Sequence, residues 1–386
     1  FILGQINYQN ALNAEKENDL RRCESYYLNA ENYFQKVIQE CPQYADYSAF
    51  YYLGEYYFYQ KRYKEAKENL NEYMKTKHGG NGDTAAARQM LITLDTYFTL
   101  LITPVEFNPI PVEGVSSPDD EFLPLISPDG ELFFYTRRSM KQSRETFILK
   151  ETEEFTYSQR SVNDTCSCHS YTSGIKMPFP FNDGRNQGGI SISINNTHLL
   201  ITMCDFVKTG LQPYKNCDIY SSDFVNGEWT ALQNLGPNIN NPDTWEAQPS
   251  ITSDGNVIYF ASDRQEGSGG MDIYTSTRDS AGNWLPAKNM GKIINTPGDE
   301  KSPFIHSDNL TLYYSSNGRT GLGGFDIYYS KSEDTIWSNP VNIGYPINTE
   351  NDDLGFIVNT DGSNAYYSSN SLKGKGGYDI YCFDLY

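Results

Sequence analysis

The sequence is poor in basic residues and has no long apolar run. Its 386 residues include 30 Lys and Arg against 49 Asp and Glu, which gives a formal net charge of −19. A surface of that sign repels phosphate groups, so binding to nucleic acid or to an anionic lipid surface is not expected. No stretch of about 18 apolar residues occurs, so no membrane-spanning segment is expected either.

Cysteine and histidine are also scarce. Seven cysteines are too few for a fold held together by disulfides alone. Cys204 and Cys217 end and begin successive predicted strands, so they could form a disulfide across a hairpin in an oxidising compartment. Cys166-Ser167-Cys168-His169 lacks a second ligand pair at zinc spacing, which favours loop thiols or a local disulfide over a metal site. The four histidines lie in no nucleophile motif, and no cofactor is expected.

Repetition is the main feature that the sequence does have. The triplet Asp-Ile-Tyr recurs at separations of 54, 54 and 53 residues, at 218–220, 272–274, 326–328 and 379–381. A glycine pair precedes each of the last three copies. A Ser-Asp-Gly turn or a variant of it, followed by a short β-branched and aromatic run, comes before each pair. A fixed period of this length indicates stacked copies of one structural unit.

Each unit is predicted to form four short strands joined by turns. The second strand, residues 257–261, is apolar at successive positions, so both of its faces must be covered. The blades of a β-propeller meet this requirement, because each small sheet packs face to face on its neighbours. A solenoid is the competing architecture, but about 54 residues with a tryptophan on the fourth strand favours a blade.

The repeat predicts a five-bladed propeller over residues 104–386. The predicted blades cover 119–184, 185–242, 243–298, 299–351 and 352–386. The last blade stops after its third strand, and residues 107–112 resemble the missing outer strand. We therefore expect an N-terminal strand to close the ring and cover the open sheet edge. In the divergent first blade, the third strand is predicted at 146–149.

Residues 1–103 predict a separate helical domain, which makes the chain an α + β multidomain protein. Tyr27, Ala30, Phe34 and Val37 reappear 36 residues later as Tyr63, Ala66, Leu70 and Tyr73. This period is similar to that of tetratricopeptide repeats. Helices are expected at about 2–17, 24–40, 46–60, 63–77 and 84–102. Two such repeats are marginally stable alone, so docking on the propeller or on another chain is expected.

Together the two repeats resemble a Bacteroidota family in which a tetratricopeptide block precedes a WD40-like propeller of the TolB type. The match rests on Ser253-Asp254-Gly255, on residues 259–264 and on residues 269–274, with their counterparts in later blades. Members usually continue into an OmpA-like peptidoglycan-binding domain, which this sequence does not contain. The layout is similar to PorE-type components of the type IX secretion system.

The resemblance implies a non-enzymatic scaffold in the periplasm, associated with the outer membrane. Its partners would be other envelope or secretion-system proteins, bound through the helical domain and a propeller face. Peptidoglycan would be bound only through a domain outside this chain. The alternative is a carbohydrate-active or glycan-binding five-bladed propeller.

Acidic residues recur at the predicted start of each inner strand. The candidate residues are Asp120, Glu121, Asp243, Glu246, Asp299, Glu300, Asp352 and Asp353, with Arg185 at the corresponding place in the second blade. Inner strands line the channel of a propeller, so these residues are expected to ring one mouth of it and to hold a cation or a basic peptide. Paired carboxylates could also serve glycoside hydrolysis. Because the acids recur in nearly every blade, capping of the strand starts or binding is favoured over catalysis.

Overall fold

The computed structural model describes residues 1–75, 82–142, 149–161, 168, 170–207, 214–370 and 372–385. The chain divides into two compact units, Phe1–Ile102 and Thr103–Tyr386. The first unit is helical and the second consists of strands. The predicted α + β organisation, with helices followed by a five-bladed propeller, is confirmed.

Five helices form the first unit. They are α1 (Ile2–Lys16), α2 (Leu20–Glu40), α3 (Ser48–Tyr59), α4 (Tyr63–Met74) and α5 (Gly82–Ile102). The side chain of Asp19 caps α2 by accepting a hydrogen bond from the Arg22 backbone N–H at 3.2 Å. Phe34 and Leu70, which the 36-residue period makes equivalent, are both fully buried in the helical core. Within the described residues, no helix is long and apolar enough to span a membrane.

Close packing between α3 and α4 depends on a glycine. A Cβ atom at Gly54 would lie 2.6 Å from the Leu70 Cγ and 3.2 Å from the Leu70 backbone nitrogen. Any larger residue would therefore push the two helices apart. The buried small residue explains how two helices rich in tyrosine can approach each other.

Five antiparallel sheets form the second unit. Strand β1 (Ile110–Pro111) opens it. Blade 1 contains β2 (Asp120–Ile126), β3 (Leu132–Gln142), β4 (Leu149–Gln159) and β5 (Ile175–Lys176). Blade 2 contains β6 (Asn186–Ile192), β7 (His198–Val207), β8 (Tyr214–Val225), β9 (Glu228–Trp229) and β10 (Gln233–Asn234). Blade 3 contains β11 (Glu246–Ile251), β12 (Val257–Ser262), β13 (Asp272–Thr277) and β14 (Lys288–Asn289).

The last two blades follow the same plan. Blade 4 contains β15 (Glu300–Ile305), β16 (Thr311–Ser316), β17 (Asp326–Glu333), β18 (Ile336–Trp337) and β19 (Val341–Asn342). Blade 5 contains β20 (Leu354–Val358), β21 (Asn364–Ser369) and β22 (Asp379–Asp384). In every blade the first strand in sequence is the innermost strand of the ring.

Strand β1 closes the ring, as the sequence predicts. It pairs with β22 in antiparallel register, with Ile110 opposite Cys382. The Val112 N–H continues the pairing by donating to the Ile380 carbonyl at 3.0 Å. Blade 5 thus obtains its fourth strand from the start of the unit, and the edge of β22 is covered.

The third strand of blade 1 extends further along the chain than predicted. It is β4, whose central residue Phe155 is fully buried. Residues 146–148 of the predicted segment lie outside the described part of the chain. The strand continues beyond Leu149, where the predicted segment ends, and includes the acidic run before Phe155. In the structure this run pairs with β3, where Glu153 accepts a hydrogen bond from Arg138 at 3.0 Å.

Two disulfides are present in the second unit. Cys168, in the long tail of blade 1, is bonded to Cys382 in β22, 214 residues later. This pairing corrects the expectation of a local bond, because ring closure brings distant segments together. Cys166, Ser167 and His169 of the same motif lie outside the described residues. Cys204 and Cys217, on the paired strands β7 and β8, form the second disulfide.

We expect loss of the Cys168–Cys382 disulfide to destabilise the propeller more than loss of the Cys204–Cys217 disulfide. The first crosslink spans 214 residues and the second spans 13. In the chain-entropy account this difference in loop length corresponds to about 2 kcal/mol. Double serine variants of each pair are compared by denaturant unfolding under non-reducing conditions. An equal loss of stability in the two variants would contradict the expectation.

Candidate functional site

Each inner strand carries one residue in the left-handed backbone region. These residues have φ values between 51° and 68° and are Leu123, Gly189, Gln248, Ser302 and Gly355. At each of them the pairing with the second strand shifts register, as in a β-bulge. Three of the five are not glycine, which is uncommon for positive φ. The five bulges lie at one level and form the wall of the channel.

The channel is narrow, and its wall is mainly apolar at this level. It has a volume of about 40 Å³ and is lined by residues 123–125, 189–191, 248–250, 302–304 and 355–357. The side chain of Phe304 packs against core residues of blades 1, 2 and 5. Its ring therefore lies across the channel. None of these lining residues is Asp or Glu.

Four of the predicted rim residues are buried. Glu121, Glu246, Glu300 and Asp353 are each 0 % exposed and lie two residues before a bulge. Glu300, for example, accepts the Thr296 backbone N–H at 2.7 Å and the Thr296 hydroxyl at 2.6 Å. These carboxylates cap the loops that enter the inner strands. Alternation along a strand turns the side chain at this position away from the channel, which the repeat alone does not reveal.

Two of the buried glutamates have arginine partners. The Nε atom of Arg137 donates to Glu121 at 2.8 Å, and that of Arg264 donates to Glu246 at 3.3 Å. Burial raises the pKa of both carboxyl groups, while the hydrogen bonds from hydroxyl, backbone and arginine donors lower it. These opposing effects on the two pKa values are typical of an ion pair that holds a loop in place.

Three other rim residues connect neighbouring blades. Each side chain accepts a hydrogen bond from a backbone N–H at the start of the third strand in the preceding blade. Asp299 accepts from Met271 at 2.8 Å, Asp352 from Phe325 at 3.0 Å and Asp120 from Tyr378 at 3.0 Å. Asp120 and Asp299 are partly exposed, and Asp352 is exposed. Binding of a cation or peptide at this mouth stays a prediction, but it now concerns these three carboxylates.

Arg185 and Asp243 do not occupy the equivalent positions. Arg185 pairs with Asp183 two residues away, and Asp243 is exposed in a turn, where its N–H donates to the Asn241 side chain at 3.0 Å. When the inner strands are aligned at their bulges, the positions predicted for Arg185 and Asp243 are occupied by Asn186 and Trp245. Matching by charge placed Arg185 one residue and Asp243 two residues too early.

Sequence analysis missed two residues at the starts of the inner strands. Gln187 takes the place of the buried acid in blade 2 and accepts the Asn182 backbone N–H at 2.8 Å. Trp245 takes the place of the connecting aspartate in blade 3, and its indole N–H donates to the Lys215 carbonyl of blade 2 at 2.7 Å. Counting backwards from the Ser-Asp-Gly turns would have found both, because the distance from turn to strand start is constant.

A repeated asparagine was also missed. The asparagine side-chain amide donates to the carbonyl of an isoleucine in the third strand at 2.9 Å and accepts the N–H of that isoleucine. The pairs are Asn240 with Ile219, Asn295 with Ile273 and Asn348 with Ile327. The amide thus imitates a pairing strand at the outer side of the blade. The spacings of 55 and 53 residues were the available signal.

In blade 5 the buried acid is an aspartate, whose side chain is shorter than that of glutamate. Asp353 stands where three blades have glutamate, and its Oδ1 atom has no hydrogen-bond partner within the described residues. Burial, with a smaller contribution from the negative charge of Asp326, raises the pKa of Asp353 to about 7 against the opposing Thr349 hydrogen bonds. Burial likewise raises the pKa of Asp326 to about 6. The seam between blades 4 and 5 therefore holds two acids that take up protons near neutral pH.

We expect these acids to make the propeller less stable as the pH rises from about 4 to about 7. Their folded pKa values exceed the unfolded value of about 3.9. Their stabilising contribution is therefore fully present below the unfolded value and is lost as the pH rises through the folded one. Asp353→Asn is neutral at every pH and should flatten this dependence in denaturant unfolding. Asp334→Asn, at an exposed turn, is the control, and an unchanged slope in Asp353→Asn would refute the expectation.

Known proteins resemble the chain in structure alone. No family model and no curated protein matches it. A TolB-like protein from Agrobacterium tumefaciens is 16% identical, with a TM-score of 0.41 over 70% of this chain and 78% of that one. A family 117 glycoside hydrolase from Zobellia galactanivorans is 12% identical, with a TM-score of 0.48 over 72% and 90%. A Penicillium chrysogenum α-L-arabinanase is 11% identical, with a TM-score of 0.42 over 72% and 99%.

The comparisons correct one expectation. The chain was predicted not to be an enzyme, and this exclusion is wrong, because glycoside hydrolases are among the solved structures that resemble it, at 10% to 12% identity. The five-bladed propeller itself is established by the five sheets of the second unit. Nothing in the comparisons bears on the tetratricopeptide, OmpA-like or PorE-like features.

Proposed function

We propose that this chain is a protein-binding scaffold of the bacterial periplasm, associated with the outer membrane. In this proposal it belongs to a secretion or envelope-anchoring assembly of the PorE-like, type IX kind and reaches peptidoglycan through a domain outside this chain. The repeat resemblance supports the assembly. The two disulfides support the location, because disulfides persist in oxidising compartments such as the periplasm and are rare in the cytosol.

The observation that carries the binding function is a set of aromatic side chains at the end of the propeller where the inner strands begin. We call this end the entry face and define it by Phe122, Trp245, Phe325 and Tyr378. All four are partly or well exposed, and Trp245 is 40 % exposed. Aromatic side chains supply a large share of the binding energy at protein interfaces.

Cations lie over two of these rings. The Arg138 guanidinium carbon is 4.7 Å from the centroid of the Phe122 ring, and the Lys301 ammonium is 4.7 Å from that of Phe325. Arginine beside an exposed aromatic ring is the composition that interface hot spots favour. The basic groups also offset the carboxylates of the same face, so an acidic partner is not repelled there.

The helical unit offers a second surface. A groove along α3 and α4 is lined by Phe50, Glu68, Asn69, Glu72 and Met74. Its mixture of apolar and acidic groups suits a partner segment that carries basic residues. We assign this groove to one envelope protein and the entry face to a second one, because a scaffold holds at least two proteins together.

A glycan-binding or carbohydrate-active propeller is the second candidate. The exposed indole of Trp245 favours it, because an aromatic ring with one open face can pack on the apolar face of a sugar. The partly or well exposed carboxylates of the entry face accept backbone N–H groups from neighbouring blades. These bonds favour a structural role for them over acid and base catalysis.

We expect Trp245→Ala and Arg138→Ala to reduce the recovery of envelope proteins with the tagged chain by about tenfold or more, as for hot-spot residues. Copurification after crosslinking in cells is the measurement. Ile336→Ala is the control, because Ile336 is 69 % exposed on β18 but lies away from the entry face. Recovery that is unchanged in both variants would contradict the proposed face.

A second measurement separates the two candidates. The purified chain is incubated with arabinan, fructan and peptidoglycan fragments, and the products are followed by chromatography. Turnover of any of the three would overturn the scaffold proposal in favour of a carbohydrate-active propeller. Absence of turnover, together with loss of partners in Trp245→Ala, supports the scaffold.

A further inference from the structure

A chain of hydroxyl groups joins the blades at the end of the propeller opposite to the entry face. The residue five positions after each bulge donates to the carbonyl of its counterpart in the next blade. Ser253 donates to Ser307 at 2.8 Å, Ser307 to Thr360 at 3.0 Å and Thr360 to Pro128 at 3.0 Å. The counterparts in blades 1 and 2 are Pro128 and Ile194, which have no hydroxyl group. The chain of contacts is therefore interrupted at two seams.

The two interrupted seams differ from each other. Between blades 1 and 2, the Asn196 side-chain amide donates to the Asp129 carboxylate at 2.7 Å and bridges the gap. Between blades 2 and 3, the side chain of Ile194 borders an open cavity of about 370 Å³. Volumes of this size are typical of small-molecule sites.

One cation lies in this cavity, and no carboxylate balances it. Arg278 lines the cavity, and no carboxylate of the described residues lies within 4.0 Å of its guanidinium group. Its Nε atom is buried and has no hydrogen-bond partner in the described part of the chain. The guanidinium carbon lies 4.5 Å from the centroid of the Trp284 ring, which holds the side chain in place. In a chain with a net charge of −19, such an arginine is available to an external anion.

A histidine fixes the orientation of this arginine. The Nη2 atom of Arg278 lies 3.2 Å from the Nε2 atom of His198, and the Nδ1 atom of His198 lies 2.7 Å from the Asp223 carboxylate. Because arginine can only donate, Nε2 accepts and Nδ1 carries the proton that is donated to Asp223. The neutral imidazole therefore lies between Arg278 and the Asp223 carboxylate, so these two charged groups do not pair directly.

The remaining lining of the cavity is polar. Asn195, Asp254 and Asn256 come from the turns of blades 2 and 3. The Asp254 carboxylate already accepts the Thr252 hydroxyl at 2.6 Å and the Asn256 amide at 3.0 Å, so it is held within its own turn. Amide groups of this kind bind hydroxyl groups readily, since they offer both donors and acceptors.

We propose that the cavity between blades 2 and 3 is a binding site for a small hydroxylated carboxylate, of the size and chemistry of a sugar acid. The ligand carboxylate pairs with the Arg278 guanidinium, whose planar donors match it. Its hydroxyl groups contact Asn195 and Asn256. The site is separate from the entry face and from the channel, so it stands whether or not the proposed scaffold function holds.

The test uses calorimetric titration of the whole chain with D-glucuronate, D-galacturonate and L-lactate, and with D-glucose as the uncharged probe. We expect saturable binding of at least one carboxylate and none of glucose. Arg278→Gln should weaken that binding at least tenfold. Arg88→Gln, the same change at an exposed site in α5, should leave it unchanged. Melting curves show whether Arg278→Gln is folded.

A second variant keeps the proposal testable if Arg278→Gln fails to fold. Ile194→Trp places a bulky indole at a side chain that borders the cavity and is 47 % exposed, so the indole can occupy the space that the ligand needs. We expect it to weaken carboxylate binding at least tenfold while the melting temperature stays the same. The proposal is overturned if none of the three carboxylates binds, if glucose binds equally well, or if both variants bind like the unaltered chain.

Discussion

The propeller depends on the closure of its ring, where two distant segments share one sheet. Strand β1 supplies backbone partners for β22, which would otherwise be an unpaired edge. The Cys168–Cys382 disulfide crosses the same junction from blade 1. Closure fixes the number of blades and therefore the angle between neighbouring sheets. The width of the channel, the burial of the carboxylates and the shape of each seam follow from that angle.

The acidic character of the chain has a structural use within the ring. Carboxylates at the starts of the inner strands accept N–H and hydroxyl groups of the loops, and others accept N–H groups of the preceding blade. Each bond satisfies a backbone donor that a tight turn would leave without a partner. The cost is the burial of charge, which the Arg137 and Arg264 partners offset in blades 1 and 3. In blade 5 no arginine of the described residues pairs with Asp353, and burial raises the pKa of this carboxyl group to about 7.

The two ends of the propeller differ in chemistry. The entry face combines exposed aromatic rings with cations, as protein interfaces do. At the opposite end, hydroxyl groups join three of the five seams between blades. The seam between blades 2 and 3 lacks this contact and opens into the cavity beside Arg278. Phe304 packs across the channel between the two ends. Binding at one end can therefore proceed without a ligand passing through the ring.

The amino-acid sequence by itself determined the repeat, the five blades, the helical unit and the closing strand. These features depend on local patterns, on turn residues and on the alternation of apolar positions, all of which a period of 54 residues makes visible. The pairing partner of Cys168 and the burial of Glu300 could not be read in this way. They depend on which segments meet when the ring closes and on the direction in which a bulged strand points its side chains. Only the tertiary structure decided that the repeated acids bind their own loops, and that Arg278 and His198, from different blades and 80 residues apart, lie side by side.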